Sequence, residues 1–197
     1  MPWPKDHKTR TRKRIVQAAA AAFRARGISG VAVEDVMRDA GLTHGGFYAH
    51  FGSKDELVGE ALDLANAETV ALLENAGESM ASRQGLHALI DEYLSDWHAA
   101  HPERGCPLAA LGPEVARGGS RGRRRLVSGV TERLGWMKQM SRSRGTSADS
   151  PVVPLLACLV GGLILARAAG RDKAPAILKS CREFLHQAID GNQTRGH

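Results

Sequence analysis

Apolar residues recur every three or four positions along most of the chain, the period of an amphipathic helix rather than of a β-strand. Gly27 and Gly41 follow the first two apolar patterns, in the position where a glycine commonly ends a helix. Ser53 and Glu56 predict a capping box at the start of the third. The pattern predicts an all-α protein, with helices at about 9–26, 33–40, 53–76, 83–100, 107–117, 120–142, 151–169 and 173–190.

The segment 33–51 holds two short predicted helices joined by a tight turn at 41–43. This is the spacing of a helix-turn-helix motif, whose second helix enters the major groove of DNA. Thr43 is expected to cap that second helix through its side-chain oxygen. Phe47 and Phe51, four residues apart, are predicted to form its inward face. The motif therefore predicts DNA binding.

Two consecutive glycines, Gly45 and Gly46, weaken this second helix, each by about 1 kcal/mol relative to alanine. Glycine is nevertheless suited to a helix that enters a DNA groove, because larger side chains would hold the helix backbone away from the DNA. Tyr48 and Lys54 are placed to donate to phosphate oxygens, contacts that set affinity rather than sequence preference. The candidate DNA-binding residues are Arg12, Thr43, His44, Gly45, Tyr48, His50 and Lys54.

The net charge of +6 is concentrated at the N-terminus, where Arg12 belongs to a basic cluster that precedes Ile15. Such a cluster favours a polyanionic partner. The second basic run, at 121–125, is interpreted as a solvated helix end.

The stretches "TRKRIVQAAAAAFRARG" and "VEDVMRDAGLTHGGFYAHFGSKDELVGEAL", within residues 9–62, resemble the N-terminal domain of TetR-type transcriptional repressors. The resemblance implies a three-helix DNA-binding domain over 1–52 and a helical ligand-binding and dimerisation domain over 53–197. It also implies a homodimer that a small-molecule effector releases from its operator. Tyr48 and Lys54 match the family's phosphate-contacting positions, whereas Ala32 stands where the family usually has a Ser or Thr cap.

The cysteines Cys106, Cys158 and Cys181 show no CxxC spacing, so neither a disulfide framework nor a metal site is predicted. This usage fits a reducing, cytoplasmic location. No apolar signal core follows the basic N-terminus. The apolar stretch 152–166 is shorter than the roughly 20 residues that a bilayer requires, so a buried helix is expected and no membrane partner.

Cys106 lies in "RGCPLAALGPEVA", which resembles a segment of one subgroup of these repressors, a cysteine before a short helix. Two interpretations remain open for it, an electrophile-sensing thiol and a small buried core residue. The aromatic and apolar residues around it in sequence form either core or an effector pocket. The candidate pocket residues are Tyr93, Trp97, His101, Cys106, Trp136 and Met140.

The last two predicted helices are rich in apolar residues, and the first of them is apolar on nearly all sides. Asp172 is the expected N-cap of the second, with Pro175 in its first turn. One chain of this size has little left to cover both helices, so a dimeric four-helix bundle is predicted. The candidate interface residues are Leu155, Leu159, Leu163, Leu178 and Leu185.

The leading hypothesis is a ligand-responsive repressor that binds a palindromic DNA operator as a homodimer. Two alternatives stay open, a redox- or electrophile-sensing regulator acting through Cys106 and a non-specific DNA binder of the nucleoid type. The sequence shows no nucleophile elbow, phosphate-binding glycine loop or HExxH motif. It therefore predicts neither an enzyme nor a cofactor.

Overall fold

The computed structural model describes residues 5–80, 83–118, 120–142 and 152–191, and within these ranges it is all-α, without a β-strand. The α-helices are α1 (Lys5–Arg26), α2 (Val33–Asp39), α3 (Lys54–Met80), α4 (Arg83–Tyr93), α5 (Asp96–Ala100), α6 (Pro107–Arg117), α7 (Ser120–Arg142), α8 (Val152–Ala169) and α9 (Ala174–Gly191). Short 3-10 helices span His44–Ala49 and Pro102–Arg104. The polar break around 143–151 and the tail beyond 191 lie outside the described residues.

Two predicted helix boundaries are wrong. The single helix predicted over 83–100 is broken after Tyr93, because Ser95 has an extended backbone and its side chain accepts a hydrogen bond from the His98 N–H. A serine in that role starts a new helix. Asp172 is not the N-cap of α9, which begins at Ala174 after a turn at Gly170, whose φ is 80°.

The start of α3 confirms Ser53 as a cap and modifies the predicted capping box. The Ser53 hydroxyl accepts a hydrogen bond of 3.1 Å from the Glu56 N–H. The Glu56 carboxylate reaches back to the N–H of Gly52, at 2.8 Å, rather than to that of Ser53. The helix then continues to Met80, beyond the predicted end near 76.

One compact unit, called here the N-terminal unit, comprises Met1–Glu68 and Pro102–Gly129. Its core is formed by apolar residues of α1, α2, the start of α3, α6 and α7, among them Ile15, Phe23, Met37, Leu57, Leu62 and Leu111. Arg24 is buried in this unit, where its guanidinium donates to the Ala20 and Gly105 carbonyls and to the Glu68 carboxylate. A buried charge without such partners would strongly destabilise the fold, so these bonds fix α1 within the unit.

The second compact unit, called here the C-terminal unit, comprises Thr69–His101 and Val130–His197. Its core joins α4, α8 and α9 through Ile90, Leu94, Leu159, Leu178 and Leu185. α8 and α9 approach closely at Gly162, where an added Cβ would lie 2.9 Å from Cys181 Sγ. Burial and the neighbouring Cys181 raise the pKa of the Cys158 thiol to about 11, so both half-buried cysteines belong to this packed contact.

α8 is longer than the apolar stretch recognised in the sequence. It has 18 residues and a mean hydropathy of 2.2, enough by length and composition to cross a membrane, and no other described helix meets that test. Core helices of soluble proteins have the same length and composition. Here one side of α8 is buried against its own unit, through Leu156, Leu159, Leu163 and Ala166.

His98 lies buried in α5, with Nδ1 2.6 Å from the Tyr93 carbonyl oxygen. Because a carbonyl only accepts, Nδ1 is the protonated nitrogen of the neutral ring. Arg167 donates to the His98 carbonyl at 2.8 Å. Burial lowers the pKa of His98, the bond to Tyr93 partly opposes that shift, and the charge of Arg167 lowers the pKa further.

The lowered pKa of His98 predicts that the protein loses stability as the pH falls. Below about 6.5, the ordinary histidine pKa, the unfolded chain binds a proton that the folded chain resists. The stability is therefore fully present above the unfolded-state pKa and is lost as the pH falls through the folded-state pKa. Urea unfolding measured between about pH 5 and 8 should show this slope, and His98→Gln should reduce it. His101→Gln, the matched control, should keep it, and an unchanged slope in His98→Gln would contradict the assignment.

Candidate nucleic-acid interface

The turn after α2 is set by Gly41, whose φ of 67° lies in the left-handed region. The Gly41 N–H donates to the Arg38 carbonyl and the Leu42 N–H donates to the Met37 carbonyl, at 2.9 and 2.8 Å. These two bonds form a Schellman motif, which needs glycine at its left-handed position. Arg14 of α1 donates to the Ala40 carbonyl at 2.6 Å, so a cation also stabilises the C-terminus of α2.

The residues after the turn form a 3-10 helix, His44–Ala49, called here the recognition segment. The predicted second helix of the motif is therefore present as a 3-10 helix, because the Gly46 N–H donates to the Thr43 carbonyl and the His50 N–H to the Phe47 carbonyl, each three residues back. Thr43 occupies the N-cap with extended backbone, but its side chain makes no capping hydrogen bond. The hydroxyl predicted as a cap is therefore exposed beside the segment.

Phe47 and Phe51 hold the recognition segment to the core. Both rings are buried, and they stack with centroids 5.5 Å apart. Burying a phenylalanine side chain stabilises a fold by about 1.5–3 kcal/mol, whereas each glycine in a helix costs about 1 kcal/mol. The two aromatic rings therefore outweigh the two glycines of the segment.

The outward side of the segment carries Thr43, His44, Gly45 and Tyr48, all of them exposed. A Cβ added at Gly45 would meet no atom within 4 Å, whereas one at Gly46 would contact Met37 at 3.6 Å. Gly45 thus packs against no neighbour in the part of the chain that the structure describes, and Gly46 lies against Met37 of α2. Tyr48 is 71% exposed, so its hydroxyl points away from the core.

His44 and His50 differ in their surroundings. His44 is exposed, with Nδ1 3.4 Å from the Glu34 carboxylate of α2. His50 is half-buried at the C-terminal end of the segment. Its pKa is lowered by burial first, and then by the positive charges of Lys8, Arg12 and His7. A neutral His50 ring in a positively charged setting is therefore expected near neutral pH.

Arg12 is half-buried and pairs with carboxylates of its own unit. Its guanidinium pairs with the Glu56 carboxylate at 2.8 Å and with the Glu60 carboxylate, and it lies 4.0 Å from the Phe51 ring centroid. The bond to Glu60 raises the pKa of Arg12, burial opposes it, and Glu56 adds to the increase. Two carboxylates of α3 therefore neutralise Arg12 within the unit, and its contact with DNA stays a prediction. Lys8 and Lys13 are exposed on the same helix.

Lys54 begins α3, and its Nζ donates to the Ile28 carbonyl at 2.7 Å. An ammonium group has three donors, so this bond leaves donors for a second acceptor.

Ala32 at the start of α2 has no capping oxygen, but the Asp35 carboxylate accepts from the Ala32 N–H at 3.1 Å. Asp35 therefore supplies one half of a capping box at the start of α2, and Ala32 offers no side-chain oxygen for the other half.

A carboxylate that sequence reasoning missed, that of Glu114, bonds to the same loop residue as Lys54, Ile28. It accepts hydrogen bonds from the Ile28 N–H at 2.8 Å, the Ser29 N–H at 2.7 Å and the Ser29 hydroxyl. These residues are 85 or 86 positions apart in the chain. No local pattern relates positions so distant, so the sequence holds no signal for this contact.

The candidate effector residues are divided between the two units. Cys106 belongs to the N-terminal unit, whereas Tyr93, Trp97, His101 and Trp136 belong to the C-terminal unit. The Met140 side chain lies outside the described part of the chain. Trp97 is exposed and stacks on His101, with ring centroids 4.6 Å apart. The pocket stays a prediction.

Cys106 is the N-cap residue of α6 and is 3% exposed. Its backbone carbonyl accepts the Ala110 N–H at 3.1 Å. A thiol this buried reacts slowly with a dissolved electrophile unless the surrounding structure opens. The burial therefore supports the core interpretation of Cys106 over the sensor interpretation.

The predicted dimer residues lie on the inner side of α8 and α9. Leu159, Leu163, Leu178 and Leu185 are buried in the core of their own unit, and Leu155 packs against it. These side chains pack within their own unit and present little surface to a partner, so their part in a dimer stays a prediction. Among the described residues, no group of three or more His, Cys, Asp or Glu side chains is arranged to hold a metal ion.

Comparison with known proteins accords with this geometry. The family model for bacterial regulatory proteins of the tetR family matches residues 15–61, from α1 into α3. An uncharacterized HTH-type transcriptional regulator of Mycobacterium tuberculosis is 33% identical over 105 residues, so the match spans about half of each chain, 53%. An HTH-type transcriptional repressor of the same species is 27% identical over 189 residues, 93% of this chain and 95% of the relative.

The fold agrees along most of the chain with a solved structure. The TetR transcriptional regulator of Chloroflexus aurantiacus superposes with a TM-score of 0.75 at 27% identity, over 94% of this chain and 96% of that one. These relatives are transcriptional regulators rather than enzymes. Residues 15–61 therefore match the tetR family of bacterial regulatory proteins, and most of the chain is similar in sequence and fold to transcriptional regulators.

Proposed function

We propose that the protein is a cytoplasmic repressor that binds a palindromic DNA operator as a homodimer and is released by a small-molecule effector. The observation that carries this proposal is the recognition segment. Its outer side is open at Gly45 and polar at Thr43, His44 and Tyr48, and its inner side is fixed by two buried rings. A rigid, low-profile polar surface of this kind fits the major groove.

Contacts to phosphates would flank the recognition segment. The exposed Tyr48 hydroxyl can donate to one phosphate oxygen, and the remaining donors of Lys54 can reach another. Exposed Lys8 and Lys13 of α1 add positive charge on this unit. Phosphate contacts fix the register on DNA, while the segment itself contacts base edges. His50 and Arg12 contribute indirectly, through local charge and through packing of α1 on α3.

A second copy of the chain is the expected occupant of the outer side of α8 and α9. Val153, Ala157, Gly161 and Leu165 follow one another at intervals of four, which places them on one stripe of α8. Val153 and Leu165 are each 58% exposed, and Phe184 of α9 is 61% exposed. A Cβ at Gly161 would meet no atom within 4 Å, so the stripe allows a partner helix to approach closely.

The effector remains the prediction made from sequence, a small molecule. Such a ligand would shift the protein from DNA only to the extent that it prefers the state that does not bind DNA. The burial of Cys106 favours a non-covalent ligand over an electrophile. The exposed surface of the recognition segment argues against a non-specific DNA binder. A protein that contacts phosphates alone would not need a segment shaped to enter the groove.

The proposal is tested by selecting bound sequences from random double-stranded DNA with the full chain. A dimeric repressor should enrich a palindrome with half-sites about 10 bp apart, one helical turn. Enrichment without symmetry would contradict the dimer, and no enrichment would contradict the operator. The selected duplex is called the operator below.

Gly45→Leu should abolish operator binding and leave the fold intact. The added side chain meets no protein atom within 4 Å at its Cβ, so the steric conflict would be with DNA alone. Fluorescence anisotropy gives the Kd, and circular dichroism gives helix content and Tm. Gly135→Leu is the matched control, since its Cβ also meets no atom within 4 Å, and it should bind as the wild type does. Wild-type affinity in Gly45→Leu would show that the segment does not enter the groove.

Tyr48→Phe should weaken binding to the operator and to unrelated duplexes by similar factors, because a phosphate contact carries no sequence information. One lost hydrogen bond to a charged group corresponds to about 1.5–3 kcal/mol. The ratio of the two Kd values should therefore stay close to that of the wild type. Tyr93→Phe, in the C-terminal unit, serves as the control. A loss confined to the operator would place the Tyr48 hydroxyl on a base instead.

Leu165→Arg and Phe184→Arg should each yield a folded monomer, since both side chains are exposed within the protomer. Analytical ultracentrifugation gives the mass, and circular dichroism the fold. Val127→Arg changes an equally exposed apolar residue of α7, 57% exposed, and should remain a dimer. Leu163→Arg should unfold the chain, because Leu163 is fully buried. A dimer that survives both outer substitutions would contradict the proposed interface.

A further inference from the structure

Glu114 makes a contact that the DNA-binding motif does not account for. Its carboxylate, near the C-terminus of α6, lies over the loop between α1 and α2. Gly27, with φ of 80°, ends α1 there and turns the next two backbone N–H groups, of Ile28 and Ser29, toward the carboxylate. Successive N–H groups that converge after a left-handed residue form a nest for an anion. Here the anion is a side chain of the protein itself.

The same loop residue connects Glu114 to Lys54. Ile28 donates its N–H to Glu114, and its carbonyl accepts from Lys54 Nζ at 2.7 Å. Burial alone would raise the pKa of Glu114, but hydrogen bonds from Ser29 and Ile28 and the charge of Lys54 hold it below its usual value. The carboxylate is therefore ionised near neutral pH, where it attracts the Lys54 ammonium.

The position of Glu114 depends on these bonds more than on close packing. A cleft of about 570 Å³ opens beside the contact, with Ile28, Val58 and Val115 among its lining residues. A Cβ added at Gly27 would nonetheless lie 3.1 Å from a Glu114 carboxylate oxygen. The carboxylate is thus seated closely on the loop while the space next to it stays open.

We propose that Glu114 is a positioning residue for DNA binding, which fixes the α1–α2 loop and, through Ile28, the phosphate-contacting Lys54. It touches no DNA itself. Because Glu114 is carried by α6, a displacement of α6 would release the loop and Lys54 together. This inference rests on the proposed function of operator binding.

Glu114→Gln provides the test, measured as the operator Kd over a range of salt concentrations. The Kd should rise by about tenfold, as for the loss of one hydrogen bond to a charged group. The slope of log Kd against log salt should fall in magnitude by about one, the signature of one lost phosphate contact. Removing a negative charge ordinarily tightens binding to DNA. A loss of operator affinity in Glu114→Gln would therefore have the opposite sign to a simple charge effect.

Glu103→Gln is the matched control, because it removes the same charge from the same unit at a half-exposed position. It should bind as tightly as the wild type or slightly more so. In a Lys54→Ala background, Glu114→Gln should change the Kd little further, since the lysine that Glu114 is proposed to position is already absent. Independent, additive losses would show that Glu114 does not act through Lys54 and would overturn the proposal.

Ser29→Ala keeps the test decisive if Glu114→Gln does not fold. It removes the hydroxyl that donates to Glu114 at an exposed position, and it should weaken binding less, with a smaller change in salt slope. Wild-type Kd and slope in either folded variant would overturn the role of Glu114. If the wild-type chain itself selects no operator, the proposed function fails instead, so the two failures are distinguishable.

Discussion

Two stacked phenylalanine rings, Phe47 and Phe51, hold the recognition segment on the core formed by α1, α2 and the start of α3. A 3-10 helix has poorer hydrogen-bond geometry than an α-helix and seldom persists without support. Two glycines weaken this one further. Its outer surface can therefore stay open and polar only because its inner surface is tightly packed. The proposed groove contact depends on that division between the two sides.

Charged residues of the N-terminal unit divide in a similar way. Arg12, Arg14 and Arg24 are engaged with carboxylates or carbonyls inside the N-terminal unit, whereas Lys8 and Lys13 are exposed. The arginines position the helices, and the exposed lysines contribute to the field that attracts a polyanion. Lys54 has both roles, since one donor is bonded to Ile28 while the ammonium can still offer others.

Local chemistry in the sequence was sufficient to predict the turn at Gly41, the cap at Ser53 and the inward rings of Phe47 and Phe51. Each depends on residues within one turn of a helix. Helical periodicity could not identify the partners of Arg12 or the contact of Glu114 with Ile28, because these depend on tertiary structure. In α8 the periodicity is uninformative, since leucines on all sides do not distinguish the inner Leu163 from the outer Leu165. The apolar spacing likewise does not distinguish a 3-10 helix from an α-helix over a segment as short as His44–Ala49.

Methylation interference on the operator tests most directly whether the recognition segment lies in the major groove. Dimethyl sulfate methylates guanine at N7 in the major groove and adenine at N3 in the minor groove, atoms that belong to different grooves. Methylation of N7 within both half-sites should block binding, at positions about one helical turn apart, while N3 methylation there should leave binding unchanged. Interference from adenine N3 alone, or from neither base, would show that the recognition segment does not lie in the major groove.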